Sequence, residues 1–245
     1  MLRPATIEGV AFVQIEATHS PFSRWLGRAL AVAPTCAMTG LLALVLVRIV
    51  RAVGDSAELA LLVLSGWLGW IASDLASGVV HWLCDRYGDE RTPLVGPLVI
   101  APFREHHVDP QILARKDFFD GASSNAWLAL GVLAPFAAFD PSLEGALALF
   151  LAGFVASLCA GVFLTNTFHQ WAHQTDPPRA ARWLQALRVA IPPQRHARHH
   201  ASGDAAYCVT TGFCNPALDR WRVFERIERA TAPFRDAPHR HRSHG

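Results

Sequence analysis

The sequence predicts an all-α integral membrane protein, with about four transmembrane helices and a cytoplasmic, histidine-rich cap. Three observations carry that expectation. Hydrophobic residues make up 51% of the 245-residue chain and charged residues only 17%, against roughly 25% in an ordinary soluble domain. Mean hydropathy is +0.22, and the apolar residues gather into segments close to the roughly 20 residues that cross a bilayer. Finally, eight of the 12 histidines sit at the ends of these segments or between them, all on one expected side of the membrane.

The first span is expected over 30–50, "LAVAPTCAMTGLLALVLVRIV", and the second over 57–82, "AELALLVLSGWLGWIASDLASGVVHW". A shorter third, 126–139, contains Pro135, and the fourth covers 143–168. The "DPS" between the last two is a tight turn signal, so these segments read as a helical hairpin. Basic residues orient the bundle. Arg3, Arg24 and Arg28 precede the first span, and Arg86, Arg91, Arg104, Arg115 and Lys116 lie between the second and third. Arginines crowd the tail after residue 168; Arg48 and Arg51 are a mild counter-signal. Four spans then place the N-terminus, the long middle loop and the tail together in the cytoplasm. A soluble, very apolar helical protein is the bland alternative.

Three regions are expected: an N-terminal cytoplasmic segment (1–29), a membrane domain (30–228) and a disordered basic tail (229–245). The first thirty residues carry Glu8, Glu16, Arg24 and Arg28 without a compact apolar run, so no cleavable signal peptide is expected. The five cysteines form no Cys-x-x-Cys pair and read as small buried hydrophobes. Lys116 is the sole lysine, and a net charge of +2 is too small to point to nucleic acid.

Four groups of histidines carry the chemistry. In "DLASGVVHWLCD", the spacing of Asp74, Gly78, His81 and Asp85 puts all four on one helix face. Charged groups on a membrane helix are costly unless they meet a charge or a metal, although Asp74 could equally pair with an arginine or a helix end. In "PFREHHVDP", the adjacent His106 and His107 point in different directions, with Asp109 close behind. In "TNTFHQWAH", His169 and His173 stand one helical turn apart, a natural metal-chelating pair, with Asn166 a turn earlier. In "PQRHARHH", His196 shares a helix face with His199 or His200. The isolated His19 and the tail residues His239, His241 and His244 are left out of the set.

Eight imidazoles exceed the four ligands of a tetrahedral zinc, and imidazole also suits iron. Two iron ions sharing the eight histidines is the economical expectation, with Asp85 and Asp109 orienting the rings and Asp74 and Asn166 as accessory groups. The nearest substrates of such a site are lipid chains. Breaking their C–H bonds takes an oxidant made from O2 at the metal, beyond the reach of acid–base side chains. A zinc-dependent membrane hydrolase leaves five histidines without work. A lipid hydroxylase uses the same metal, and a non-enzymatic membrane scaffold needs none of it.

The blocks "DLASGVVHW", "PFREHHVDP", "TNTFHQWAH", "HARHH" and "YCVTTGFCNPALD" resemble, in order, those of the plasmanylethanolamine desaturase family, which forms the vinyl ether of plasmalogens. They are also similar to its plant plastid relative, which makes a trans double bond in a palmitoyl chain of phosphatidylglycerol. "PFREHHVDP" looks like the plasmanyl branch; "YGDERTPLVG" and "RHARHH" look like the plant branch. Arg195 stands where the plasmanyl branch usually carries another histidine. The resemblance implies a phospholipid substrate, O2, and two electrons from a separate donor of ferredoxin or cytochrome b5 type. Arg104, Arg195 and Arg198 are candidates for a phosphate head group or for donor docking, beside the plainer reading that they only orient the protein.

Overall fold

The computed structural model describes residues 21–93, 95–139 and 145–235. These are helical, without a strand among them. Four long helices form the body: α1 (Pro21–Ala52), α2 (Ser56–Arg86), α5 (Phe118–Phe139) and α6 (Ala146–His173). Three are long and apolar enough to cross a membrane, over Arg24–Ala52, Ser56–Arg86 and Ala146–His173.

The third apolar segment does form a helix, but that helix does not reach the same apolar length. It begins at Phe118, eight residues before the expected start, because Asp117 caps it by accepting from the Asp120 amide at 2.9 Å. Its added first turns are polar, and Asn125 among them donates to the Val162 carbonyl at 2.7 Å. The "DPS" turn lies outside the described residues, as do His19, His239, His241 and His244.

α1 and α5 run parallel. Arg28 meets Asp117 at 2.6 Å near their starts, and Arg48 donates to the Ala137 carbonyl at 3.1 Å near their ends. Met38, Val45, Ile49, Ala126, Leu133 and Leu149 fill the core they share with α6.

α2 and α6 also run parallel, and small residues bring their backbones together. Ser65 meets Gly153, Gly69 meets Ser157, and Ser73 meets Gly161. A Cβ on Gly161 would overlap the Ser73 hydroxyl, and one on Gly69 would strike the Phe154 carbonyl. Ser157 closes the contact by donating to the Gly66 carbonyl at 2.6 Å. Close packing of this kind is how apolar helices associate where no water drives them together. The three pairs share one offset. Carried two turns further, it brings His81 opposite His169, with ring centroids 5.7 Å apart.

Short helices cap this end. A π-helical turn, Gly96–Ile100, runs into α3 (Ala101–Val108), and α4 (Gln111–Ala114) follows. After α6 come α7 (Arg179–Ala186), α8 (Pro193–Ser202), α9 (Asn215–Arg220) and α10 (Val223–Arg235). The stretch 229–235, expected to lack structure, is therefore helical. Its helix is amphipathic: Phe224 packs on Trp82 and Tyr207, and Glu228 accepts from Trp82 Nε1 at 2.8 Å and pairs with Arg86. Residues 236–245 lie outside the described residues.

Candidate metal centre

The eight histidines converge, and they sort into two groups. Nitrogens of His106, His169, His173, His196 and His200 lie within 4.8 Å of one another; those of His81, His107 and His199 do the same together with a carboxylate oxygen of Asp85. Helical spacing explains the sorting. The i, i+4 pairs His169/His173 and His196/His200 each serve one group, whereas His199 points to the other. The neighbours His106 and His107 diverge on α3 and serve one group each. The groups touch, with the His106 and His107 rings 4.4 Å apart.

The first group is crowded in a way hydrogen bonding cannot explain. His196 Nε2 lies 2.9, 2.8 and 2.9 Å from the Nε2 atoms of His169, His173 and His200. A neutral imidazole has one N–H to share, so lone pairs must face one another here unless something positive lies between them. In the second group, Asp85 Oδ2 sits 3.4, 3.2 and 3.3 Å from His81, His107 and His199 Nε2. His81 Nε2, His106 Nε2 and both Asp85 oxygens are buried without a hydrogen-bond partner. Buried polar atoms are costly when left so, and a cation in each group would satisfy them. The donor set fits metal ions, and each group has enough ligands for one.

The protonation states agree. Burial first, then neighbouring imidazoles, lower His106 to about 3 and His200 to about 4, and hold His196 well below 6.5. These rings are neutral at pH 7, as metal ligation requires. Two backbone carbonyls fix the tautomer of others: His81 Nδ1 donates to Tyr207 O at 3.1 Å and His199 Nδ1 to Ala205 O at 2.7 Å. A carbonyl only accepts, so the proton is on Nδ1 and the Nε2 lone pair faces the group.

Both carbonyls belong to the segment 205–214, laid along α2. Gly78 makes room for it, since a Cβ there would overlap the Cys208 sulfur. Asp74, fully buried, holds its far end: Oδ1 accepts from the Thr211 and Gly212 amides at 2.7 and 2.9 Å, and Oδ2 from Cys214 at 2.9 Å. Ser77 Oγ accepts from Val209 at 3.0 Å, and Asn215 makes two bonds with Cys208. Backbone amides thus occupy Asp74, which the sequence had offered as an accessory group of the site.

Asp109 also lies outside the groups. α3 stops at Val108 and the chain turns there, so Asp109 caps the next turn through the Gln111 amide and pairs with Arg115 at 3.0 Å. Asn166 donates to Gly121 O at 3.1 Å and to Ser124 Oγ at 3.3 Å, beside the site but not in it. Asp85, expected to orient rings, stands among the donors instead. The three candidate arginines are engaged within the protein: Arg104 with the Cys84, Tyr87 and Gly88 carbonyls, Arg195 with Thr211 O, and Arg198 with Asp219.

Sequence reading missed Ala205, Tyr207, Ser77 and Asn215. The first two act through backbone carbonyls, which leave no mark on residue type. Ser77 and Asn215 lie inside the blocks "DLASGVVHW" and "YCVTTGFCNPALD", where only Asp74, Gly78 and His81 drew attention.

A cavity of about 280 Å³ leads to the histidines. Val80, Phe103, Ile112, Leu128 and Val162 give it an apolar wall, and His106 and His169 face into it.

Fold and site together define a helical protein with membrane-length spans and a polyhistidine centre at the end of an apolar cavity. The chain belongs to the lipid desaturase domain family, whose pattern matches residues 70–239. It is 36% identical over 163 residues to a plasmanylethanolamine desaturase of Myxococcus xanthus, covering 66% of this chain and 57% of that protein. With fatty acid desaturase 4, chloroplastic, of Arabidopsis thaliana the identity is 35% over 171 residues, 67% of this chain and 50% of the relative. With plasmanylethanolamine desaturase 1 of Mus musculus it is 32% over 173 residues, 69% and 64%. The matched stretch thus spans between half and two thirds of each of these relatives. No solved structure matches the chain.

Proposed function

We propose that the protein is a multi-pass membrane lipid desaturase with two iron ions held by its histidines, converting the alkyl ether of a plasmanyl phospholipid to the vinyl ether of a plasmalogen. The observation that carries this reading is the apolar cavity ending on His106 and His169. A chain lying in it presents its C–H bonds to the donor groups.

Bound iron supplies an O2-derived oxidant, which the removal of hydrogen from an unactivated chain requires. The residues do the rest. His106, His169, His173, His196 and His200 hold one ion; His81, His107, His199 and Asp85 hold the other. The 205–214 segment keeps two of these rings aimed, and Val80, Phe103 and Leu128 exclude water from the chain. Asn166 borders the cavity beside His169 and positions what lies there. Electrons come from a separate donor of ferredoxin or cytochrome b5 type. The 22-residue α5 completes four spans beside α1, α2 and α6, with the histidine cap in the cytoplasm.

The nearly equal identities to the Myxococcus and Arabidopsis proteins, 36% and 35%, support a second substrate, an acyl chain of phosphatidylglycerol desaturated in trans. The test is lipid mass spectrometry, with acid treatment of the extract, on cells supplied with an electron donor and expressing the protein or His173→Ala. Acid-labile vinyl ethers made only by the unmodified protein are the expected result. A new unsaturated acyl chain with unchanged ether lipids selects the second substrate, and no lipid change from well-expressed protein overturns the desaturase reading.

A further inference from the structure

The histidine centre does not end at its ligands. The Tyr207 ring lies 4.9 Å from the His199 ring and 5.8 Å from that of His81. Phe224 is 5.2 Å beyond Tyr207, Trp82 stacks on Phe224 at 5.0 Å, and Tyr87 meets Trp82 edge-on at 5.0 Å. Tyr207, Phe224 and Trp82 are buried, whereas Tyr87 is partly open at the end of α2. The column joins two donor-group ligands to the outside of the cap. Apolar packing alone accounts for ring volume here. It does not account for three easily oxidised rings in series, or for a carboxylate placed on the one indole nitrogen. Glu228 Oε1 accepts from Trp82 Nε1 at 2.8 Å while Arg86 holds the same oxygen at 2.8 Å.

We propose that this column drains oxidising equivalents from the centre when no lipid chain occupies the cavity, with Trp82 as the residue on which the missing electron comes to rest. The inference rests on the oxygen-dependent reading above. O2 is the oxidant. One electron leaves the Trp82 indole, crosses Phe224 and Tyr207, and enters the oxidised centre. The indole becomes a radical cation and keeps its proton, because Glu228 is already ion-paired with Arg86; the carboxylate steadies the new positive charge. Tyr207 is the poorer resting place, since its hydroxyl meets only the Gly203 carbonyl, at 3.3 Å, which cannot take a proton. A small one-electron reductant of the aqueous phase, of the ascorbate or thiol class, then returns one electron by way of Tyr87. The reductant releases its own proton to water as it gives up the electron, O2 takes up one proton per electron on its way to water, and Trp82 keeps its own. What is gained is protection, since the alternative electron donors beside the centre are its own imidazoles.

The test uses iron-loaded protein in nanodiscs of phospholipid lacking any chain it desaturates. The protein is reduced, mixed with O2 and freeze-quenched for electron paramagnetic resonance. An indole radical that narrows with ring-deuterated tryptophan is expected. It should vanish in Trp82→Phe, which preserves the packing, at unchanged iron content. Mass spectrometry should find histidine oxidation rising in Trp82→Phe over repeated O2 exposures. Protein that binds iron and forms product from its lipid, yet shows no Trp82-dependent radical, overturns the inference and leaves the desaturase reading intact. Failure to bind iron or form product overturns the desaturase reading, and the inference with it.

Discussion

Asp74 and Asp85 lie on the same helix, about 16 Å apart along its axis at 1.5 Å per residue, and both face inward. Their surroundings differ completely. Asp74 meets three backbone N–H groups and has its hydrogen-bonding capacity filled by the protein. Asp85 meets three imidazole nitrogens and has no hydrogen-bond partner for either oxygen. A buried carboxylate satisfied by amides holds structure. One surrounded by unsatisfied ring nitrogens is waiting for a cation. The two sites are also coupled, because the segment Asp74 anchors is the one whose carbonyls aim His81 and His199.

The contrast can be broken most severely at Asp74. Asp74→Ala strands three buried amides, each costing about 1–3 kcal/mol, so thermal unfolding in detergent should show a loss of several kcal/mol or no folded protein. An unchanged midpoint would mean that the 205–214 segment stands without it. Asp85→Ala should do the opposite. It removes a buried charge from the metal-free protein, which should unfold no earlier than the unmodified chain, while elemental analysis shows one fewer metal ion per chain. Loss of stability without loss of metal would reverse the roles given to the two carboxylates.

A smaller effect comes from spreading the helices that carry both. Gly161→Val forces α2 and α6 apart at Ser73, at a cost of about 1–3 kcal/mol. Metal content should fall along with stability, because His81 and His169 lose their register. A test without any substitution is pH. His106 and His200 titrate near 3 and 4 in the folded protein, against 6.5 when exposed. The unfolded chain therefore binds more protons between these values, and stability rises with pH there. Metal-free protein should be at full stability above pH 6.5 and lose it progressively as pH falls toward 4. A flat profile between 4 and 6.5 would mean that the rings are solvated.

Much of this was legible in the sequence. Segments of membrane length and i, i+4 histidine pairs follow from helical periodicity, which residue type records directly. The placement of Asp74 and Asp109 did not follow. A carboxylate near histidines reads the same whether it meets a metal, an arginine or a row of amides, and only the path of the 205–214 segment and the end of α3 at Val108 decide between them. The register of α2 on α6 was hidden for a related reason. Ser65, Gly69, Ser73, Gly153, Ser157 and Gly161 look unremarkable singly and acquire meaning only when two distant stretches are laid side by side.

That row of small residues divides the bundle into a fixed end and an adjustable one. Everything between Ser73–Gly161 and the histidines must keep its length, since adding one residue to either helix would turn its ligands by about 100°. Beyond Ser65–Gly153 no histidine ligand depends on the helices' register, although Leu62 and Leu149 still pack into the core there. A change of length confined to the distal turns therefore leaves the histidine end as it is, and such turns are where a helix meets a thicker or thinner bilayer.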